Sequence, residues 1–234
     1  MRFAIIETGQ APPSVRERHP RYADMMAHML APLIPDLSIL CSRPYLGEDL
    51  PAPNAFDAML LTGSPAGVYE RHSWIAPLEN LVRAAAEANR RQIGICFGHQ
   101  LMAQALGGRV EKSDKGWGVG VHRYKVSGGA RWMDPPQNEI ACVVSHQDQV
   151  IELPPGASTL AGSQFCPHGI ISYAQGPAIS FQMHPEFDHD FAADLMEVRR
   201  ERLGSAADDG LASLRGSSDR QLLARWISNF LRHE

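Results

Sequence analysis

Arg91-Gln92-Ile93-Gly94-Ile95-Cys96-Phe97-Gly98-His99-Gln100-Leu101 is the stretch on which the reading of this chain turns. A short apolar run arrives at Cys96, and a helix-like stretch from Gln100 to Leu106 leaves it. Gly94 and Gly98 stand two residues to either side of the cysteine. This is the strand–elbow–helix pattern of a nucleophile held on a sharp turn, with cysteine where many hydrolases carry serine. The backbone at such an elbow is strained, and the chain passes so close to itself that a Cβ at either flank would clash. The helix N-terminus beneath the sulfur favours negative charge, and so the reactive thiolate. A lone cysteine in a strand is more often a packed hydrophobe. Glycines at both elbow positions favour the nucleophile.

Composition narrows the field around that elbow. The chain has 234 residues, 44% hydrophobic and 21% charged, as expected of a water-soluble globular protein. A net charge of −4 gives no basic footprint for nucleic acid. No apolar run reaches the length of a membrane span, and the N-terminus enters as a strand where a signal peptide would carry its charged and apolar regions. Cys41, Cys96, Cys142 and Cys166 show no paired metal-ligand spacing, so they read as reduced thiols of a cytoplasmic protein. A single domain over residues 1–234 is expected, because no segment after the last polar loop is long enough to fold alone.

The first half alternates strands and helices. Strands are expected at Arg2–Glu7, Leu37–Cys41, Phe56–Leu61 and Gln92–Cys96. Helices are expected at Tyr22–Leu33, where Met25, Met26, Met29, Leu30 and Leu33 recur at helical spacing, and at Trp74–Asn89. That alternation predicts an α/β fold: an open, mostly parallel sheet flanked by helices, with its chemistry at the carboxyl ends of the strands. The second half changes to strands joined by Gly/Pro turns, at Val119–Val126, Glu139–Ser145, Ser158–Phe165, Gly169–Ala174 and Ala178–Met183, which read as additional antiparallel strands. A helix over Asp190–Leu203, a polar loop through Gly204, Asp208-Asp209-Gly210 and Gly216-Ser217-Ser218, and a last helix over Gln221–Arg232 opened by a capping box complete the expectation.

A thiolate needs a base and a pocket of donors for the developing oxyanion. Met183-His184-Pro185-Glu186 follows another strand end. There His184 is the candidate general acid/base, and Glu186, beyond the bend fixed by Pro185, its orienter. The backbone N–H of Phe97 and the turn Gly63-Ser64 are the candidate oxyanion donors. Gln100, on the first turn of the elbow helix, is placed to meet a polar substrate. His99 is expected to support that helix, His122 and His168 to lie at the surface, and Trp117 to line a pocket mouth or pack a turn. Asp188-His189-Asp190 precedes a helix, where acidic residues cap it and complement its dipole, and is not read as a metal site.

Four motifs, in their order along the chain, resemble the class I, triad-type glutamine amidotransferases, over about Phe3 to Phe187: Thr62-Gly63-Ser64-Pro65, Gly94-Ile95-Cys96-Phe97-Gly98-His99-Gln100, Ser145-His146-Gln147-Asp148 and His184-Pro185-Glu186. The resemblance implies a flavodoxin-like fold and hydrolysis of a γ-glutamyl amide, glutamine to glutamate and ammonia, through a thioester on Cys96. It also implies that Gln100, Ser145 and His146 hold the amino acid end of the substrate. No cofactor and no metal site are expected. Ser64 stands where the family's oxyanion turn has a second glycine. Family members pass ammonia to a synthetase domain or subunit, for which 234 residues leave no room, so a separate synthetase subunit is the implied partner. Lys115-Gly116-Trp117 and the Ser145–Asp148 motif are most similar to free-standing members, those like the amidotransferase half of GMP synthetase and the γ-glutamyl peptidases. Two alternatives accompany this reading: a γ-glutamyl peptidase acting on glutathione-like compounds, and a non-catalytic binding or regulatory protein on the same fold.

Overall fold

Parallel strand pairing sets the architecture. The structure, a computed structural model, describes residues 1–232. Strands β1 (Arg2–Ile6), β2 (Ser38–Ser42), β3 (Ala58–Leu61) and β4 (Arg91–Ile95) pair in parallel in the order β2-β1-β3-β4. Their connections carry α1 (Pro13–Arg16), α2 (Tyr22–Leu30) and α3 (Ile75–Glu87). After β4 come α4 (Phe97–Ala105), β5 (Arg109–Lys112), β6 (Gly118–Val126), β7 (Glu139–His146), β8 (Asp148–Glu152), β9 (Ser158–Gly162), β10 (Ile170–Tyr173) and β11 (Ala178–Phe181). The late strand β11 returns to lie parallel to β4. Antiparallel pairing then extends the sheet through β10, β9, β6 and β7. The expected α/β sheet, parallel first and antiparallel later, is the one observed.

The strands are apolar on both faces because both faces are covered. Phe3, Ile5, Leu60, Ile93, Ile95, Ile179 and Phe181 pack with Met26 and Leu30 of α2 and with Leu223, Trp226, Ile227 and Leu231 of the last helix, α8 (Arg220–Arg232). The alternating residues Ala4, Ile6, Met59 and Leu61 pack on the other side against Leu78 and Val82 of α3 and Leu101 and Met102 of α4. Side chains two apart along a strand share a face, so one apolar run serves two cores. The methionines of α2 are divided in the same way: Met26 enters the first core, and Met25 joins a third cluster under Phe187 and Phe191.

Register carries the fold to the site. Leu61 of β3 is level with Gly94 of β4, and Ile95 of β4 with Phe181 of β11. The residues that follow these three strand ends therefore emerge along one edge of the sheet, as expected for such sheets.

Three expectations need correction. The residues after Leu203 do not form a loop: Ala206–Ser213 is a helix, α7. It forms because two glycines let a helix backbone lie directly on a strand. A Cβ on Gly210 would sit 2.6 Å from Met196 Sδ and 2.9 Å from Val119 Cγ2, and one on Gly120 would sit 2.6 Å from the Gly210 carbonyl oxygen. Asp208 and Asp209 in its first turn complement the helix dipole. The helix expected over Asp190–Leu203 is two, α5 (His189–Val198) and α6 (Arg200–Leu203), broken at Arg199 with φ −98 and ψ 7. The cap of α8 is also different, since the Asp219 carbonyl accepts from the Leu223 N–H at 3.0 Å and its carboxylate accepts from the Ala141 N–H at 2.7 Å, which ties α8 to β7. The short strands β5 and β8, which pair with each other, were not expected.

Buried polar bonds lock α4 to the sheet. The ring of His99, fully buried, shares a 2.8 Å hydrogen bond with Ser180 of β11, and the Tyr173 hydroxyl of β10 meets the same Ser180 at 2.8 Å. Burial pushes the His99 pKa down to about 3, so the ring is neutral at pH 7.

Two outcomes follow from this packing. At Gly120, φ is +82 and a Cβ would strike α7, so Gly120→Ala should destabilise by about 2–4 kcal/mol and lower Tm by roughly 5–12 °C in a thermal melt. For His99, the folded pKa lies below the ordinary 6.5, so the unfolded chain binds the extra proton first and stability should fall as pH drops from 6.5 toward about 3. That contribution approaches ~1.4 kcal/mol per pH unit and should be missing from urea titrations of His99→Gln. An unchanged slope would contradict a neutral buried ring.

Candidate active site

Cys96 is held at a turn the chain reaches only by tight packing. Its φ of 51 and ψ of −102 place a non-glycine residue at positive φ, between the last residue of β4 and the first of α4. The Cys96 N–H donates to the Phe181 carbonyl at 2.8 Å, the Gly98 N–H donates to the Thr62 carbonyl at 3.1 Å, and the Gln100 N–H donates to the Cys96 carbonyl at 3.0 Å. The elbow is thus sewn to β11 on one side and to the end of β3 on the other. A Cβ on Gly94 would lie 2.5 Å from the Gly98 carbonyl oxygen, and one on Gly98 would run into the Leu61 carbonyl. Both flanking glycines are required by close approach, as the motif predicts.

The other two strand ends deliver the partners. Beyond β3, Thr62 is pinned by Thr8, whose N–H donates to Thr62 Oγ1 at 3.0 Å and whose hydroxyl donates to the Thr62 carbonyl at 2.9 Å. Gly63 follows, and a Cβ there would be 2.8 Å from His184 Cε1 and 3.6 Å from Cys96 Cβ, so the turn, the cysteine and the histidine meet at one point. Ser64 Oγ accepts from the Ala66 N–H at 3.2 Å, which fixes the turn. Beyond β11, the His184 N–H donates to the Val143 carbonyl at 2.8 Å. His184 Nδ1 and Glu186 Oε1 are 2.8 Å apart, with side chains only 4% and 2% exposed. The Phe187 ring stacks on the imidazole with centroids 4.0 Å apart and planes 6° from parallel. Arg220 of α8 donates to the carbonyls of Pro185 at 3.4 Å and Glu186 at 3.2 Å, bracing the bend from behind. Burial opposes charge on His184, but the Glu186 carboxylate and the Cys96 sulfur outweigh it, and its pKa is held above the usual histidine value. With Nδ1 engaged by Glu186, Nε2 is the nitrogen left for proton transfer.

A cavity of about 150 Å³ opens beside Cys96, bounded among others by Gln100, Trp117, Ser145, His146 and Arg199. A recess of about 20 Å³, shared with Gly63, His184 and Phe187, continues from it. Gln100 is buried, not an exposed helix residue: its amide nitrogen donates to the Asp148 carbonyl at 2.8 Å and to Gln182 Oε1 at 3.1 Å. His146 is turned the same way, with Nδ1 3.1 Å from the Asp148 carbonyl, and burial pushes its pKa down to about 3. Ser145 Oγ accepts from Arg199 Nη1 at 3.1 Å. Trp117 lines the cavity mouth, covered by the Arg202 guanidinium 4.6 Å from its ring centre.

Some expectations shift. His122 and His168 are half-buried instead of lying at the surface, the first edge-on to Phe165 with centroids 5.1 Å apart, the second 2.6 Å from Thr159 Oγ1. Asp188 caps α5, its carboxylate accepting from the Phe191 N–H at 2.8 Å. All four cysteines are free. Among the described residues, none of the helices is long and apolar enough to cross a membrane, and no group of three or more His, Cys, Asp or Glu is arranged to hold a metal ion. The sequence reading missed Arg199 and Tyr22, which border the recess, and Phe187 on the imidazole. Phe187 was the findable one, an aromatic directly after His-Pro-Glu.

Comparisons with known proteins bear on the family and the fold. The family model described as "Glutamine amidotransferase class-I" matches residues 43–196. Gamma-glutamyl peptidase 4 of Arabidopsis thaliana is 25% identical over 190 residues, 76% of this chain and 74% of that protein. A glutamine amidotransferase-like protein of Gibberella zeae is 29% identical over 215 residues, 88% of this chain and 87% of that protein. A GMP synthase of Burkholderia cenocepacia is 35% identical, but over 56% of this chain and 25% of the synthase. A solved glutamine amidotransferase of Thermotoga maritima superposes with a TM-score of 0.76 at 18% identity, over 100% of this chain and 99% of that one, and shows the same fold. With most of its length matched by the family model, and its elbow, turn and His-Pro-Glu motifs meeting at one sheet edge, the chain belongs to the class I glutamine amidotransferase family.

Proposed function

We propose that the chain hydrolyses a γ-glutamyl amide through a thioester on Cys96. The observation that carries this reading is the convergence of Cys96, His184 and Gly63 on one point, with His184 bonded to a buried Glu186. Cys96 Sγ attacks the γ-carbonyl carbon, and its proton passes to His184 Nε2. The carbonyl oxygen becomes an oxyanion facing the backbone N–H groups of Phe97 and of Gly63 or Ser64. Phe97 supplies a first-turn N–H that α4 itself leaves unpaired. Collapse breaks the C–N bond, and His184 hands its proton to the leaving amine. Water then attacks the thioester, His184 takes one of its protons, the C–S bond breaks, and glutamate leaves as the thiol is restored. Glu186 holds the imidazole in the Nδ1–H tautomer and stabilises the imidazolium that forms in each half-reaction. Gln100, Ser145 and His146 line the cavity where the amino acid end of the substrate would lie; the neutral His146 offers hydrogen bonding without charge.

Glutamine is the simplest such amide. With glutamine the product ammonia would pass to a synthetase subunit, a partnership the likeness to GMP synthase supports. A γ-glutamyl peptidase is the second reading. It is supported by relatives of that name that match about three quarters of both chains. Four free cysteines are compatible with a reducing, cytoplasmic location.

Steady-state glutamate release from the purified protein, offered glutamine and glutathione side by side, tests the reaction. Cys96→Ala should abolish turnover of either compound while Tm stays within about 2 °C, because alanine adopts the same backbone without a larger Cβ conflict. Turnover surviving that substitution would sink the mechanism. Glu186→Gln keeps the shape of the orienter but removes its charge, and should lower kcat by about 10²–10⁴-fold. Iodoacetamide at neutral pH should alkylate Cys96 in the wild type; an inert thiol would favour a binding protein over an enzyme.

A further inference from the structure

Arg199 is the unexplained charge of this site. It sits at the break between α5 and α6 and borders both the wide cavity and the recess that holds Cys96 and His184. Lys112 and Arg202 line the wide cavity without bordering the recess. Its neighbour Arg200 is neutralised by Glu197 at 2.8 Å and Asp208 at 2.6 Å, whereas among the described residues no carboxylate pairs with Arg199. The hydrogen bond seen for its guanidinium is donated to Ser145 Oγ. Arginine carries five N–H donors and keeps its charge in proteins, so a half-buried guanidinium bonded to one hydroxyl has donors left for an anion. Burial lowers the Arg199 pKa, the sign of a desolvated cation that lacks a compensating partner.

The reaction geometry says which anion. On the proposed mechanism, His184 protonates the leaving nitrogen, which must come within hydrogen-bond reach of Nε2. Whatever that nitrogen carries then lies against the recess walled by His184, Phe187, Leu195 and Arg199. Ammonia carries nothing there. An α-amino acid carries a carboxylate two bonds away, with its carbon about 2.5 Å from the nitrogen by standard bond lengths. A recess of about 20 Å³ holds little more than a water-sized group. Arg199, Ser64, Cys96 and Ser145 border the wider cavity of about 150 Å³ as well, so the carboxylate can lie where recess and cavity meet, with the side chain extending into the cavity.

We propose that Arg199 binds the carboxylate of the leaving amine, so that the preferred substrates are γ-glutamyl amino acids, with a free carboxylate on the residue after the scissile amide, in preference to glutamine. The inference rests on the hydrolase reading above and adds the substrate class. Arg199 acts as a binding residue for the leaving half, and its bond to Ser145 places it at the boundary with Gln100, Ser145 and His146 on the glutamyl half.

The test compares kcat/KM for γ-glutamyl-glycine, γ-glutamyl-glycinamide and glutamine, in wild type, Arg199→Gln and Arg199→Lys, with Tm measured for each. The glycinamide differs from the glycine compound only in lacking the carboxylate charge. Wild type should prefer the acid over its amide by roughly 10–100-fold, the range of a charge-assisted hydrogen bond. Arg199→Gln should bring that ratio close to one, and Arg199→Lys should keep part of it. Because the ratio is taken within one protein, a general loss of activity does not imitate the effect. Equal use of acid and amide by wild type, a ratio unchanged in Arg199→Gln, or turnover of glutamine alone would overturn the inference and leave the hydrolase standing. Turnover of none of the three would overturn the hydrolase reading together with it.

Discussion

The approach of the Gly98 backbone to Leu61 is the constraint on which the rest of the site depends. Gly98 has room for a hydrogen and no more, and its N–H closes on the Thr62 carbonyl. That contact pulls the start of α4 onto the end of β3 and forces Cys96, two residues earlier, to positive φ. A residue held in this sparsely populated region costs on the order of 1–3 kcal/mol, and it persists only where the surroundings over-determine it. Here they do: β3 and β11 each bond the elbow directly, and α4 is fixed from below by the His99–Ser180–Tyr173 bonds. The buried Cys96 thereby borders the cavity at a helix start, where the helix dipole favours an anion.

The histidine side of the site obeys a different logic. His184 is enclosed by Glu186, the face of Phe187 and the cysteine, an environment that would reject a cation if burial acted alone. Burial is the largest single influence on the ring, and it is outweighed only because the neighbouring carboxylate and sulfur act together. The contrast with His99 and His146 is instructive. Both are as buried as His184, both lack an acidic side chain in hydrogen-bond contact, and both are driven to the neutral form. One residue type thus favours the charged form in one place and the neutral form in the others, and the adjacent carboxylate makes the difference.

Charge around the cavity is also divided by depth. Glu70, Asp148, Lys112, Arg199 and Arg202 all line it, so it carries both signs. Lys112 and Arg202 line the wide cavity without bordering the recess, and Arg200 is tied by carboxylates, which leaves Arg199 as the cation bordering the recess with Cys96 and His184. Its position depends on α7. Packing that helix on β6 through Gly120 and Gly210 places α7 beside α5 and α6, the two segments that flank Arg199.

What the sequence determined by itself was local. Gly94, Cys96 and Gly98 specify the elbow within five residues, His184-Pro185-Glu186 sets a histidine beside its carboxylate within three, and strands apolar on both faces announce a sheet covered on both sides. Neighbours along the chain enforce such features, so a linear reading can find them. The polar strands β5 and β8 escaped because their short segments stabilise each other only after the chain has brought them together. The α7 helix escaped because its Gly/Ser/Asp composition disfavours a helix until a second glycine, ninety residues away in sequence at Gly120, allows the backbone contact that holds it. Arg199 was invisible for the same reason. In the sequence it is one arginine among several on an expected continuous helix, and only the break at that residue and the packing around it turn the side chain into the site.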